Sequence, residues 1–177
     1  MTNRSIRTLF ISLIPFIIFS IGIIPSLLYG WTLIYFIPFT KLWQLLLIPF
    51  LLYIGAGILY LSELLISGSI IKIFNITYKP GIYAYNHKET QFFKWTLICT
   101  LYTPLRKILE IFPLGTLKTT YYKLLGMKIG TNTLVGGVIK DPCVTELGNN
   151  VTKGEYAIIY GHIHNMENNT IEINKVT

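Results

Sequence analysis

Three histidines, His87, His162 and His164, are the side chains of this sequence best suited to moving a proton near neutral pH. Two of them form a His-x-His pair. On a strand, side chains alternate between faces, so His162 and His164 would point the same way. His162 then reads as a general base and His164 as its rival for that role, and the same geometry can also supply two ligands to zinc. The polar stretch Asn165 to Thr170 follows directly and reads as a loop, which makes Glu167 a candidate to orient His162. A histidine pair on a small β-domain can equally do no more than anchor a loop. A zinc site of this kind needs a third histidine, and His87 stands in Tyr85-Asn86-His87-Lys88-Glu89, beside the membrane segment, where an interfacial position next to Lys88 is expected. Cys99 and Cys143 lie far apart and lack the spacing of a structural disulfide or a zinc site.

The residues that must position the histidine pair recur with a period of six. From Ile129 the units begin Ile129-Gly130, Val135-Gly136, Asp141-Pro142, Leu147-Gly148, Lys153-Gly154 and Ile159-Tyr160. Ile, Val or Leu holds first place in four of the six, and Gly holds second place in four. A six-residue period is the mark of a β-helix, each unit making a short strand and its corner. The first residue would point inward and stack on its equivalent one coil away, which places Ile129 beneath Leu147. Glycine in second place is expected to turn the corner through positive φ, which costs it nothing. Lys153 interrupts the aliphatic stack and should turn outward or mark a distorted corner.

Tyr122 to Gly130, Asp141-Pro142-Cys-Val-Thr-Glu-Leu147-Gly148 and Ala157-Ile-Ile-Tyr-Gly-His162 together resemble the hexapeptide-repeat acyltransferase superfamily. They are most similar to the membrane-attached branch found at the end of poly-lysine-synthetase-type enzymes and some peptide synthetases. The likeness covers roughly residues 78 to 177. It implies a left-handed parallel β-helix, a trimer, and an acyl-CoA or carrier-bound acyl thioester as donor, held between neighbouring subunits. It also implies a histidine on a coil or at the root of a projecting loop, the place His162 occupies. β-Helix carbonic anhydrases supply the zinc alternative. The repeat amounts to less than three coils, and the family pattern would continue beyond Thr177. A shortened chain of this kind would serve instead as a membrane-anchored scaffold or binding module, with strand edges left open to association.

The rest of the chain attaches this unit to a membrane. Of 177 residues, 52% are hydrophobic and only 13% charged, with a mean hydropathy of +0.54. Ordinary soluble domains carry about one quarter charged residues, so disorder and a nucleic-acid module are also excluded. No charge lies between Arg7 and Lys41 or between Lys41 and Glu63, and each run exceeds the ~20 residues that cross a bilayer. Spans are expected over residues 8 to about 30 and Leu42 to Ile66, with Pro15 and Pro25 tolerated in the first and Gly55 and Gly57 easing helix approach in the second. Trp31, Tyr35, Phe36 and Trp43 should mark the connection at an interface. Glu63, near the end of its span, is expected to reach the interface, a buried carboxylate being the alternative. Arg4 and Arg7 before the first run, and Lys72, Lys79, Lys88 and Lys94 after the second, place both termini in the cytoplasm. The net charge of +7 then reports orientation and contact with lipid rather than nucleic acid.

Two amphipathic stretches follow, broken at Pro104 and Pro113, either lying in the membrane interface or packed on the C-terminal domain. The fold class expected is therefore α + β: a transmembrane helical hairpin (1–77), interfacial or linker helices (78–125), and a short left-handed parallel β-helix (126–177). The function expected is acyl transfer to a hydroxyl or amine, by a homo-oligomer with no bound cofactor. A lipid-linked sugar, a surface-polymer precursor and a nascent peptide all fit a membrane location as acceptor.

Overall fold

A computed structural model describes residues 6–37, 40–111 and 115–177. The first uncharged run forms α1 (Ile6–Phe36), continuous through Pro15 and Pro25, and after a short helix α2 (Leu42–Leu45) the second forms α3 (Ile48–Ile73). Both long helices are long and apolar enough to cross a membrane. They pack antiparallel: Ser26 Oγ donates to the Gly55 carbonyl at 3.1 Å, Tyr29 OH to that of Leu51 at 3.2 Å, and Ser62 Oγ to that of Gly22 at 2.6 Å. At ~1.5 Å per residue the two helices extend about 46 and 39 Å, more than the ~30 Å of a hydrocarbon core. Trp31, Tyr35, Phe36 and Trp43 lie exposed at the connecting end.

Close approach of the helices depends on glycines, but only partly on those anticipated. The Tyr29 ring lies against Gly55, whereas Gly57 faces open space. Gly22 makes the tighter contact, because a Cβ there would collide with the Glu63 carboxylate. Glu63 accordingly does not extend to the interface; it is 7% exposed, folded against α1. A glycine opposite draws the side chain in where a larger residue would have pushed it out.

Beyond α3, strand β1 (Gly81–Ala84) leads to α4 (Thr90–Ile111) and α5 (Gly115–Leu124). Pro104 does not break α4. Leu97, Ile98, Leu101, Tyr102, Leu105 and Leu109 form one helical stripe on both sides of the proline, each 4% exposed or less, and its burial outweighs the lost amide hydrogen bond. Pro113 lies outside the described residues. The apolar face of these helices packs on the C-terminal domain instead of lying open to lipid: Tyr102 OH donates to the Ile139 carbonyl at 2.6 Å, and Lys118 Nζ to that of Gly137 at 2.6 Å. Leu64 and Ile71 of α3 enter the same core as Leu101, Tyr121, Tyr122 and Ile139.

The repeat folds into three parallel strand pairs. β2 (Lys128–Ile129) pairs with β5 (Glu146–Leu147) and β3 (Leu134–Val135) with β6 (Thr152–Lys153), each eighteen residues on. Ile129 faces Leu147, as the period requires. On the third side the hexads slip, because β4 (Val138–Ile139) pairs with β7 (Ile158–Ile159) twenty residues on, and Asp141 falls outside the strand, before a 3₁₀ turn at Pro142–Val144. None of the second-place glycines takes positive φ, and two of them, Gly130 and Gly136, serve close packing instead. A Cβ on Gly130 would meet the Gly148 carbonyl at 2.5 Å, and one on Gly136 the Lys153 carbonyl at 2.5 Å. Asn132 and Asn150 take the left-handed corners instead, at φ 54° and 58°, linked by a side-chain hydrogen bond of 2.9 Å.

Two further expectations fail at this end of the molecule. Lys153 turns inward, 8% exposed, and its ammonium donates to the carbonyls of Gly136, Val138 and Ala157, which leaves no buried amine proton wanting. The sixth unit leaves the parallel pairs after Ile159: His162–Asn165 forms β8, paired antiparallel with β9 (Thr170–Ile173), and β1 completes a three-stranded sheet in the order β1-β9-β8. The C-terminal residues return to the first side, where Glu146 N donates to the Val176 carbonyl and the Glu146 carboxylate pairs with Lys128 and Lys175.

Candidate active site

β8 positions both histidines. Its alternate residues His162 and His164 share a face, opposite Ile173 and Ile171 of β9, and the two rings stand 5.2 Å apart. Trp95 of α4 packs edge-on to both, at 5.0 Å from His162 and 5.6 Å from His164. The tight turn that joins β8 to β9 carries Asn169 at φ 51°, and Glu167 lies exposed in it.

The partner of His162 is Asp141, not Glu167. His162 Nδ1 lies 2.7 Å from Asp141 Oδ2, which also accepts the Gly161 amide at 2.8 Å. Trp95 Nε1 donates to Oδ1 at 3.0 Å and Tyr78 OH at 3.2 Å. This carboxylate is fully buried and receives four donors. Burial pushes its pKa up, but the hydrogen bonds from His162, Gly161 and Trp95 outweigh that and hold it below the usual carboxylate value. Burial pushes the Tyr78 phenol well up, so it remains a donor. An ionised carboxylate only accepts, so the shared proton belongs to His162 Nδ1 and the lone pair of Nε2 is left for other chemistry.

Among the described residues His164 has no carboxylate partner, and its Nδ1 is buried without a hydrogen bond. Burial, with the neighbouring His162, lowers its pKa below the ordinary histidine value against an opposing pull from Asp141. His87, expected apart beside Lys88, comes to the same aromatic group: it stacks on Phe92 at 5.3 Å, Phe92 stacks on Trp95 at 5.7 Å, and His87 Nδ1 lies 3.2 Å from Thr8 Oγ1. Both cysteines are free. Burial pushes the Cys99 thiol well up and that of Cys143 up to about 12, so neither is a ready nucleophile.

Among the described residues no three His, Cys, Asp or Glu side chains gather as a bound metal would require, and His162 Nδ1 is engaged by Asp141. Asp141 escaped notice as a functional residue, although a charge in a place that four of six units give to an aliphatic side chain was a legible sign. Tyr78 and Trp95 left none; they lie 63 and 46 residues from Asp141 and meet it only through the fold. No family model, curated protein or solved structure matches the chain.

Proposed function

We propose that this protein is a membrane-anchored acyltransferase that moves an acyl group from acyl-CoA or a carrier-bound thioester to a hydroxyl or amine. The observation that carries the reading is the hydrogen-bonded pair of His162 and Asp141, with Nδ1 committed to the carboxylate and Nε2 left as base. The acceptor's oxygen or nitrogen attacks the thioester carbonyl while His162 Nε2 takes its proton. The adduct collapses with loss of the C–S bond, and the imidazolium returns the proton to the departing thiolate. Asp141 stays ionised and balances the imidazolium charge, as the carboxylate does in other His–Asp pairs.

The wider architecture belongs to the same proposal. The three parallel sides are taken as a short left-handed β-helix, and α1 and α3 as spans, with the end bearing Arg7, Lys72, Lys79, Lys88 and Lys94 in the cytoplasm. The trimer follows from the resemblance of the repeat. Eighteen-residue pairing on two sides supports the coil, and the apolar exposed faces of α1 and α3 support the spans.

Detergent-solubilised protein given a series of acyl-CoA donors with amine or hydroxyl acceptors, and followed by release of free thiol, tests the reading. His162→Ala is expected to lower kcat by about 10²- to 10⁴-fold, and His164→Ala by less. Full activity in His162→Ala overturns the base assignment. Failure of every donor would leave a binding module, and stoichiometric zinc lost on His162→Ala would restore the metal alternative.

A further inference from the structure

Beside the His162–Asp141 pair lies a cavity of about 650 Å³, walled by Tyr85, His87, Lys88, Phe92, Trp95 and, from the first turn of α1, Thr8. Trp95 is the shared wall, since it lines the cavity, packs on His162 and donates to Asp141. The volume suits a small-molecule site and exceeds what an acceptor amine or hydroxyl alone would fill.

The position of this cavity is set by the apolar hairpin. Arg7 Nη1 donates to the Lys88 carbonyl at 2.7 Å and to Thr90 Oγ1 at 3.3 Å, its guanidinium lies over the Phe93 ring at 5.8 Å, and Thr8 Oγ1 contacts His87. These contacts pin the start of α1 to the 85–90 loop, so the cavity stands at the level where that helix begins its uncharged run. The next turns expose Leu9, Phe10 and Leu13. Tyr85 and Trp95 carry the kind of amphipathic ring that settles at the head-group level, and Lys88 and Arg7 add positive charge. Among the described residues no carboxylate lines the cavity; Glu89 is nearby in sequence, with its Oε1 accepting from the Gln91 amide.

We propose that the cavity takes the phosphate-bearing head group of a membrane amphiphile, whose tail remains in the bilayer beside α1, and that this amphiphile is the acyl acceptor. Lys88, in the cavity wall, meets the phosphate, and Arg7, bonded to the Lys88 carbonyl, adds positive charge beside it. The aromatic wall covers the first carbons next to the head group, and Trp95 leads from the cavity to His162. The role as acceptor rests on the acyl-transfer reading; the binding of the head group does not.

The test uses the full chain in a neutral detergent, with Trp31→Phe and Trp43→Phe leaving Trp95 as the sole tryptophan, and reads its emission. Dodecyl phosphate is expected to change that emission saturably, while inorganic phosphate at the same concentration leaves it unchanged. Lys88→Glu, at an exposed position, should raise the dodecyl phosphate midpoint by about tenfold or more, whereas the distant Lys128→Glu should not. An equal response to inorganic phosphate would show a soluble-anion site and overturn the proposal, as would no saturable response or indifference to Lys88→Glu. Saturable binding in a protein that transfers no acyl group would overturn the acyl-transfer reading and leave the head-group site standing. Turnover with a water-soluble amine, without dodecyl phosphate binding, would do the reverse.

Discussion

Asp141 is the residue on which the site turns. A carboxylate with four donors and no exposure cannot reorient, so it holds the His162 ring in one tautomer and one direction. Asp141→Asn preserves the shape but can also present an amide donor to Nδ1, which favours the wrong tautomer. We expect kcat to fall on the order of a thousandfold with KM little changed, measured by thiol release. The same residue sets a pH dependence. Because the native pKa is held below the ordinary value near 3.8, its contribution to stability is present above that value and is lost as pH falls through the native one. Near-ultraviolet circular dichroism of the detergent-solubilised protein should therefore show a loss of tertiary signal below about pH 4 that is shallower in Asp141→Asn.

At the level of elements, Gly22 and Gly57 look alike in sequence and differ in structure. Both lie in long apolar helices, yet only Gly22 has a partner pressed against it, the Glu63 carboxylate. Gly22→Leu should separate α1 from α3 and cost about 1–3 kcal/mol by overpacking. Gly57→Ala should be neutral or stabilising by up to ~1 kcal/mol, since alanine suits a helix interior better. Thermal unfolding in detergent distinguishes the two, and equal effects would mean that Gly22 is not a packing contact. The proline in α4 teaches the same lesson from the other side. Composition marked a break at Pro104, but a stripe of buried side chains on both sides held one helix together.

For the whole molecule, the hairpin and the C-terminal domain share a core. Ile18, Leu64 and Ile71 are buried together with Tyr121, Tyr122 and Leu125, and the start of α1 is tied to the loop beside the candidate site. Removing residues 1–77 would expose those side chains to water at about 25 cal/mol per Å² of apolar area. The fragment 78–177 should accordingly lose cooperative unfolding and bind a hydrophobic dye, whereas the full chain in detergent should melt in one transition. A cooperative, dye-silent fragment would show that the hairpin is only an anchor.

The apolar runs, the six-residue period and the shared face of His162 and His164 were legible along the chain because each is a local regularity: hydropathy, strand spacing and side-chain alternation need no distant partner. Ile129 over Leu147 followed from the period alone. The inward turn of Lys153 did not, since it depends on three carbonyls, of Gly136, Val138 and Ala157, that the tertiary structure brings around one ammonium. Nor did the two-residue slip on the third side, which takes Asp141 out of the repeat and sets it beneath β8. Burial of Glu63 against Gly22, the gathering of His87 with Trp95, and the choice of Asp141 over Glu167 were decided by tertiary structure. Each joins residues from separate elements, and only packing determines which polar atoms are removed from water together.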